Sequence, residues 1–234
     1  MNMQSLPNNN DEYRCEFCER SFRTERTLLA HVCEQKKRSQ ERTDPVGQLA
    51  FMSYQRFYQL TQGGKERTWD QFAKSPYYKA FVKFARYMRQ VDAVNPLLFI
   101  DWVIKQQVKL DHWARDSTYT KYLLEYIKTE GADSAIERSF TTMQKWADEQ
   151  ASSFEHYLLY ANPNRIAADL SNGRVSPWIL WATKSGRELL SKLNEDQLNV
   201  ISSVIDPDHW KRRIKDWPVD METVKYACTA AGIE

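Results

Sequence analysis

At 234 residues and 27.6 kDa, the chain is long enough for one substantial domain and a small appendage. Its 42% hydrophobic and 13% aromatic content excludes wholesale disorder, and its seven glycines and eight prolines argue against a sandwich, a barrel or a glycine-rich nucleotide loop. The net charge is only +2, which excludes a histone-like coat of positive charge, so affinity for nucleic acid would have to come from local patches.

The first 44 residues divide into three segments by composition. Residues 1–12 are polar and rich in Asn, which predicts a disordered leader. This start has no apolar stretch, so we expect no secretory signal, and no apolar run reaches the roughly 18 residues that a membrane span requires. Residues 13–36 predict a metal-binding module, and residues 37–44 predict a charged linker or a frayed helical extension.

The cysteines indicate both the compartment and the chemistry of this module. Cys15, Cys18 and Cys33 are clustered, whereas Cys228 stands alone near the end of the sequence. A disulfide framework requires more cysteines in a shorter, secreted chain. We therefore expect a reduced, cytoplasmic protein whose clustered thiolates hold a metal ion.

The spacing of the cluster fits a small zinc module. A Cys-x2-Cys pair places two thiolates near one ion, and the next twelve residues leave room for a hairpin return and a helix that carries a histidine. The pattern is Tyr13-x-Cys15-x2-Cys18-x3-Phe22-x5-Leu28-x2-His31. Over these residues the chain resembles the Cys2His2 zinc finger, which implies a ββα fold around Zn²⁺, with a core too small to fold without the metal.

Spacing alone leaves more than one candidate for the fourth ligand. The resembled family places its second histidine four or five residues after the first, where this chain has Gln35 and Lys36. Cys33 lies two residues after His31, about 200° around a regular helix, so it reaches the metal only if the helix unwinds there. We favour Cys33, which completes a Cys3His set. The alternatives are a bound water or one of the remaining candidate ligands, His112, His156, His209 and Cys228.

The resemblance also implies which finger residues face DNA. The three base-reading positions fall on Thr24, Thr27 and Ala30, and none of them has the bidentate geometry that reads guanine or adenine. Cations in and after the finger are candidates for phosphate contacts, which hold a nucleic acid without specifying its sequence. They are Arg20, Arg23, Arg26, Lys36, Lys37 and Arg38. The alternative interpretation is that these charges only solvate the module.

From Pro45 onward, helix starts are marked by a capping residue followed by proline. These pairs are Asp44-Pro45, Ser75-Pro76, Asn95-Pro96, Asn162-Pro163, Ser176-Pro177 and Asp206-Pro207. Further starts are predicted at Asn194 and Asp220, and stops at Gly63-Gly64, Gly131, Gly173, Gly186 and Gly232. Together they predict eight to ten short helices in one all-α domain at 45–234, with the tryptophans mainly in its core.

Two helices of this region are predicted to carry basic faces. In residues 74–89, the cations Lys79, Lys83 and Arg86 lie opposite an apolar face made by Tyr77, Phe81, Phe84 and Met88. After Asp206-Pro207, a buried stripe is predicted at Trp210, Ile214 and Trp217, and the cations that project elsewhere are Lys211, Arg212, Arg213 and Lys215. Each basic face is either a phosphate-binding stripe or an ordinary solvated surface.

Motifs for catalysis are not found in the sequence. It has no P-loop, no dinucleotide glycine motif, no His-Glu-x2-His and no nucleophile elbow, so we expect no enzyme, no small-molecule substrate and no membrane association. We predict a zinc-containing accessory protein that binds nucleic acid, with DNA as the expected partner. The general organisation is similar to small accessory proteins of tailed bacteriophages, which implies replication, transcription or packaging in the host cytoplasm. The alternative is an interaction or assembly factor whose finger and helices dock a protein.

Overall fold

The computed structural model describes residues 13–234, so the leader predicted at 1–12 lies outside the described residues. The described chain contains fifteen α-helices, three short 3₁₀ turns and one two-stranded sheet. The predicted fold class, a small N-terminal ββα-like segment followed by helices, is confirmed.

The N-terminal segment forms a short hairpin and two helices. Its strands are antiparallel, with Tyr13 opposite Phe22 and Arg14 opposite Ser21. The elements are β1 (Tyr13–Arg14), β2 (Ser21–Phe22), α1 (Glu25–Leu29) and α2 (Glu34–Gln40), followed by a 3₁₀ turn at Glu41–Thr43. The stretch at 37–44 is therefore mostly helical, as the second of its two predicted forms requires.

The chain divides into two compact units, an N-terminal unit (Met1–Arg115) and a C-terminal unit (Asp116–Glu234). The helical domain predicted at 45–234 contributes helices to both of them. Those of the N-terminal unit are α3 (Pro45–Gln62), α4 (Trp69–Lys74), α5 (Tyr78–Gln90) and α6 (Pro96–Lys105), with a 3₁₀ turn at Leu110–His112.

Aromatic rings fill the core of the N-terminal unit. Trp113 is 1% exposed, and its ring meets the rings of Phe81 and Phe84 edge-on at centroid distances of 5.8 and 5.0 Å. Its indole Nε1 donates to the Val108 carbonyl at 2.8 Å, so the one polar atom of the ring is satisfied. Edge-to-face pairs of this kind stabilise a core beyond the area that they bury.

The C-terminal unit has its own core. Its helices are α7 (Asp116–Thr129), α8 (Ala132–Gln150), α9 (Tyr157–Tyr160), α10 (Pro163–Ser171), α11 (Pro177–Ala182), α12 (Lys184–Lys192), α13 (Glu195–Ile201), α14 (Pro207–Asp216) and α15 (Pro218–Ala230), with a 3₁₀ turn at Phe154–His156. Trp178 packs edge-on against Trp210 at 5.1 Å. The buried carboxylate of Glu130 lies 2.6 Å from Arg138 and accepts a hydrogen bond from Ser176, so this charge is paired.

Most of the predicted helix starts are confirmed. Five of the residues before a proline accept backbone N–H groups as N-caps, namely Asp44, Asn95, Asn162, Ser176 and Asp206. Asn194 and Gln197 form the predicted capping box. Capping of this kind typically contributes about 1 kcal/mol to a helix.

Other expectations about the helices are wrong. The described chain after Asp44 has thirteen α-helices rather than eight to ten, because caps such as Thr183 begin a new helix without any proline. The last helix begins at Pro218 and not at Asp220. Gly186 does not end a helix but lies inside α12, where a side chain would collide with the backbone of Leu180.

None of the helices within residues 13–234 is both long enough and apolar enough to cross a bilayer.

Candidate metal centre and cationic surfaces

The hairpin positions the first two candidate ligands, Cys15 and Cys18. The N–H of Cys15 donates to the Arg20 carbonyl at 2.9 Å, and the N–H of Glu19 donates to the Cys15 carbonyl at 2.8 Å. Glu19 has a φ of 61°, in the left-handed region, which lets the chain reverse within four residues. This tight reversal brings the two thiols to the same side of the turn.

His31 and Cys33 follow the short helix α1. Thr24 caps this helix through a reciprocal capping box with Thr27, and the helix ends at Leu29. The expectation that the helix carries His31 is therefore wrong, because the chain is already non-helical at His31. On a regular helix, His31 and Cys33 would point about 200° apart. Because the helix ends before His31, this separation does not apply.

Cys33 has two roles in this geometry. It is the N-cap of α2, and its Sγ accepts the backbone N–H of Lys36 at 3.3 Å. The same sulfur lies 4.0 Å from the Sγ of Cys15. A thiolate at a helix N-terminus is stabilised by the free N–H groups of the first turn.

Together these four side chains form a compact set of donors. One ligand atom each from Cys15, Cys18, His31 and Cys33 lies within 4.8 Å of the other three. The Sγ of Cys18 is 3.3 Å from Nε2 of His31. Tetrahedral zinc with sulfur at about 2.3 Å and nitrogen at about 2.0 Å requires ligand atoms about 3.5 to 3.8 Å apart. The measured spacings bracket this range, so the residues fit a tetrahedral ion.

The pKa values of the two hairpin thiols are shifted in opposite directions. The backbone N–H of Cys18 lowers the pKa of Cys15 and outweighs the cost of desolvation. At Cys18, the N–H of Arg20 acts to lower the pKa, but desolvation and the neighbouring thiols Cys15 and Cys33 together raise it. N–H groups that point at sulfur are the usual support for a metal-bound thiolate.

The other candidates for the fourth ligand have different surroundings. His112 lies 3.5 Å from Asp111, the ring of His156 packs edge-on against Tyr160, and Cys228 is buried in α15. His209 packs against Trp210. The group of potential metal ligands in the described residues consists of the three clustered cysteines and His31.

The residues of the metal-binding module that are predicted to face a nucleic acid are not equally available for contact. Thr24 and Thr27 use their hydroxyls to cap α1, which leaves them poorly placed to read bases. Arg20, Arg23 and Arg26 are exposed, and none of them forms an ion pair with a residue in 13–234. These arginines therefore present positive charge that no carboxylate of the described chain neutralises, although Arg20 also lies 5.9 Å from the ring of Phe22.

The cations of α2 divide into exposed and engaged groups. Lys37 is exposed and Lys36 is half-buried. Arg38 instead donates to the Ala73 carbonyl at 2.6 Å, pairs with Glu34 at 3.3 Å and lies 4.4 Å above the ring of Tyr78. Because its guanidinium holds α2 against the rest of the unit, Arg38 is less available for a phosphate contact than the exposed Lys37.

The basic face of α5 is present as predicted. Lys79, Lys83 and Arg86 are exposed and line one hollow of about 520 Å³. Phe81, Phe84 and Met88 are buried on the opposite side of the helix. Tyr77 is 52% exposed, against expectation, because it precedes the first residue of α5.

The basic cluster of α14 is less available than predicted. Lys211 and Arg212 are exposed. Arg213 is enclosed, since it donates to the Glu130 carbonyl at 3.1 Å, pairs with Asp220 at 3.5 Å and stacks on Trp217. Trp217 was expected in the core but is 54% exposed, because α14 ends just before it.

Sequence patterns missed the acidic side of the α5 hollow. Glu34 and Glu41, from α2 and the 3₁₀ turn after it, line the same hollow as the α5 cations. Tyr78 donates a hydrogen bond to Glu41, and burial followed by this bond raises the pKa of Tyr78. The one readable signal was the four-residue spacing of Glu34 and Arg38, which indicates an ion pair on one helix face.

Comparison of the chain with protein-family models, with curated proteins and with solved structures finds no match.

Proposed function

We propose that this chain is a zinc-stabilised, non-catalytic protein that binds nucleic acid as an accessory factor in replication, transcription or packaging, as in a tailed bacteriophage. The observation that carries the proposal is the Cys3His set, which lies in the same finger as three exposed arginines without ion-pair partners in the described chain. The zinc would hold the finger together, and the arginines would contact phosphates.

A structural role for the metal is supported by the number of ligands. Four protein ligands complete the tetrahedral coordination that structural zinc sites have, whereas catalytic sites keep one position for water or substrate. Cys15, Cys18, His31 and Cys33 would supply all four ligands. The ion would then contribute folding energy to the finger rather than chemistry.

Sequence-tolerant binding is supported by what the finger presents. Its exposed arginines suit phosphate oxygens, and two of its three base-reading positions are engaged in capping α1. Binding of this kind depends on counterion release and therefore weakens steeply with salt.

The test is the salt dependence of binding to labelled DNA of random sequence, measured by fluorescence anisotropy between about 50 and 200 mM salt. We expect a linear log–log fall, with each phosphate contact contributing about 0.7 to 0.9 to the slope. The triple change Arg20→Gln, Arg23→Gln and Arg26→Gln should lower the slope by about 2. Its control removes the same charge elsewhere in the unit, at Lys65, Lys105 and Lys109. Undetectable binding at low salt would contradict the proposal.

One observation favours a second function, the docking of a protein by the finger. Leu29 and Val32, on either side of His31, are 71% and 63% exposed. Large apolar side chains on a small charged module are typical of contact surfaces. This second function would hold if the wild-type chain bound no DNA at low salt and the double change Leu29→Ser with Val32→Ser abolished its binding to a protein partner.

A further inference from the structure

The outer side of α5 forms the wall of two adjoining hollows in the N-terminal unit. The first, of about 520 Å³, lies between α2 and α5, and the second, of about 490 Å³, lies beside the start of α3. Glu41, Val82 and Arg86 line both hollows. We call the pair of hollows the α5 groove.

The α5 groove contains four cations that have no ion pair within residues 13–234. They are Lys37 from α2 and Lys79, Lys83 and Arg86 from α5. The α5 cations recur at i, i+4 and i+7, so they form one stripe about 10 Å long. An unpaired row of this length attracts a ligand that carries several negative charges in a line.

The three carboxylates of the α5 groove all have partners. Glu34 pairs with Arg38 at 3.3 Å, and Glu41 accepts the hydroxyl of Tyr78. Asp44 accepts the N–H groups of Val46 and Gly47 at 2.9 and 3.1 Å, which begins α3. The cations are thus without ion-pair partners in the described chain, whereas the carboxylates are held by the fold. Only Glu34 is neutralised by an ion pair, since Glu41 and Asp44 bond to neutral groups.

The groove is also built to keep its shape. Arg38 fixes α2 to the Ala73 carbonyl at 2.6 Å and covers the ring of Tyr78. Gly47 lets the Glu41 carbonyl approach α3, where any side chain would collide with it. Preorganised cations lose little conformational entropy when a ligand binds.

We propose that the α5 groove binds one strand of nucleic acid through successive phosphates, with the α5 stripe and Lys37 as the contacts. This inference rests on the proposed function and names its strand type and site. The α5 cations lie about 6 and 4.5 Å apart along the helix axis, so each of the three can contact a different phosphate of one strand. Hollows of this volume admit groups of nucleotide size, whereas a duplex cannot enter them. A positive groove that follows the backbone is the usual solution for single strands.

The experiment measures the affinity of the full chain for a short fluorescein-labelled oligothymidylate and for a duplex of the same length, at about 50 mM salt. The groove variant combines Lys79→Gln, Lys83→Gln and Arg86→Gln. The matched control combines Lys65→Gln, Lys105→Gln and Lys109→Gln, which removes the same charge from exposed positions that line neither hollow. We expect the groove variant to bind the oligothymidylate about 100-fold more weakly, because each of its three lost phosphate contacts removes about 0.7 from the salt slope. The control should bind less than about 3-fold more weakly, since its lysines lie outside the groove.

A second variant tests the groove by a gain of affinity, which misfolding does not produce. Glu41→Gln removes a negative charge that lines both hollows while keeping an oxygen for Tyr78 to donate to. We expect it to bind the oligothymidylate about 3-fold more tightly.

Three outcomes would overturn the inference. They are equal weakening by the groove variant and its control, unchanged or weaker binding by Glu41→Gln, and tighter binding of the duplex than of the single strand by the wild-type chain. The first two, with wild-type binding intact, leave the proposed function standing. Absence of binding by the wild-type chain to either DNA removes the proposed function itself.

Discussion

Cys33 is the residue at which metal binding and helix formation meet. Its sulfur lies 4.0 Å from that of Cys15 and also caps α2 by accepting the N–H of Lys36 at 3.3 Å. The two roles separate chemically, since a serine hydroxyl caps a helix well but binds zinc poorly.

We therefore predict different outcomes for Cys33→Ser and Cys33→Ala. Loss of a residue that only hydrogen-bonds to a metal ligand typically costs roughly 10- to 100-fold in metal affinity. Both variants lose a ligand itself, so both should lower zinc affinity by more than this. Only Cys33→Ala should also lose about 1 kcal/mol of stability in α2, through loss of the cap. Competition against a chromogenic chelator and urea unfolding measure the two effects. Wild-type zinc affinity in Cys33→Ser would show that a different group is the fourth ligand.

His209 is predicted to make the folding stability of the C-terminal unit depend on pH. Burial lowers the pKa of His209 from its ordinary 6.5, and Lys128 and Arg212 lower it further, against the opposing effects of the Lys128 carbonyl and Asp206. The folded state therefore favours the neutral ring. This contribution to stability is fully present above pH 6.5 and is lost as the pH falls through the lowered pKa.

The corresponding prediction compares Tm between neutral pH and about pH 5 for the wild-type chain and for His209→Gln. The wild-type Tm should fall more steeply, because only the wild-type chain must protonate a disfavoured ring on acidification. Parallel Tm profiles for the two proteins would contradict the role of His209.

At the scale of elements, α2 connects the candidate metal centre to the α5 groove. Its first turn is capped by Cys33, and its last turn carries Arg38, which is fixed to Ala73 and Tyr78. The length of α2 is only seven residues, so its stability comes from these attachments rather than from its own propensity.

We predict that Arg38→Gln destabilises the N-terminal unit by about 1.5 to 3 kcal/mol, since it removes hydrogen bonds of a mostly enclosed charged group. Zinc content should not change, because the Cys3His set is untouched. Urea unfolding measures the loss, and Lys37→Gln, an exposed position in the same helix, is the control. A stability equal to that of the control would show that Arg38 does not hold α2 in place.

Local sequence patterns predict the N-caps and the metal-ligand cluster, but they do not predict which elements pack opposite one another. The spacing of Cys15, Cys18 and His31 predicted the metal cluster, and Asp44 and Asn194 marked helix starts because capping is a local interaction. The placement of Glu41 opposite the α5 cations depends on tertiary packing, which periodicity within α5 does not contain. The prediction that Trp217 is buried is also wrong, because its exposure depends on where α14 ends.

At the scale of the whole molecule, metal binding is expected to be a local property. The candidate ligands all lie within residues 15–33, whereas each unit has a core of buried aromatic and aliphatic side chains beyond this segment. Removal of the ion should therefore unfold residues 13–33 and leave α3 to α15 intact. The larger apolar side chains of this segment, such as Phe22 and Leu28, are only half-buried, and a core that small does not fold without metal.

The most direct test is to measure the metal content of the purified chain and then hydrogen exchange before and after chelation. We predict one zinc ion per chain and, on chelation, loss of amide protection at 13–33 while α3 to α15 stay protected. A purified chain without zinc, or a finger equally protected after the metal is removed, would contradict it.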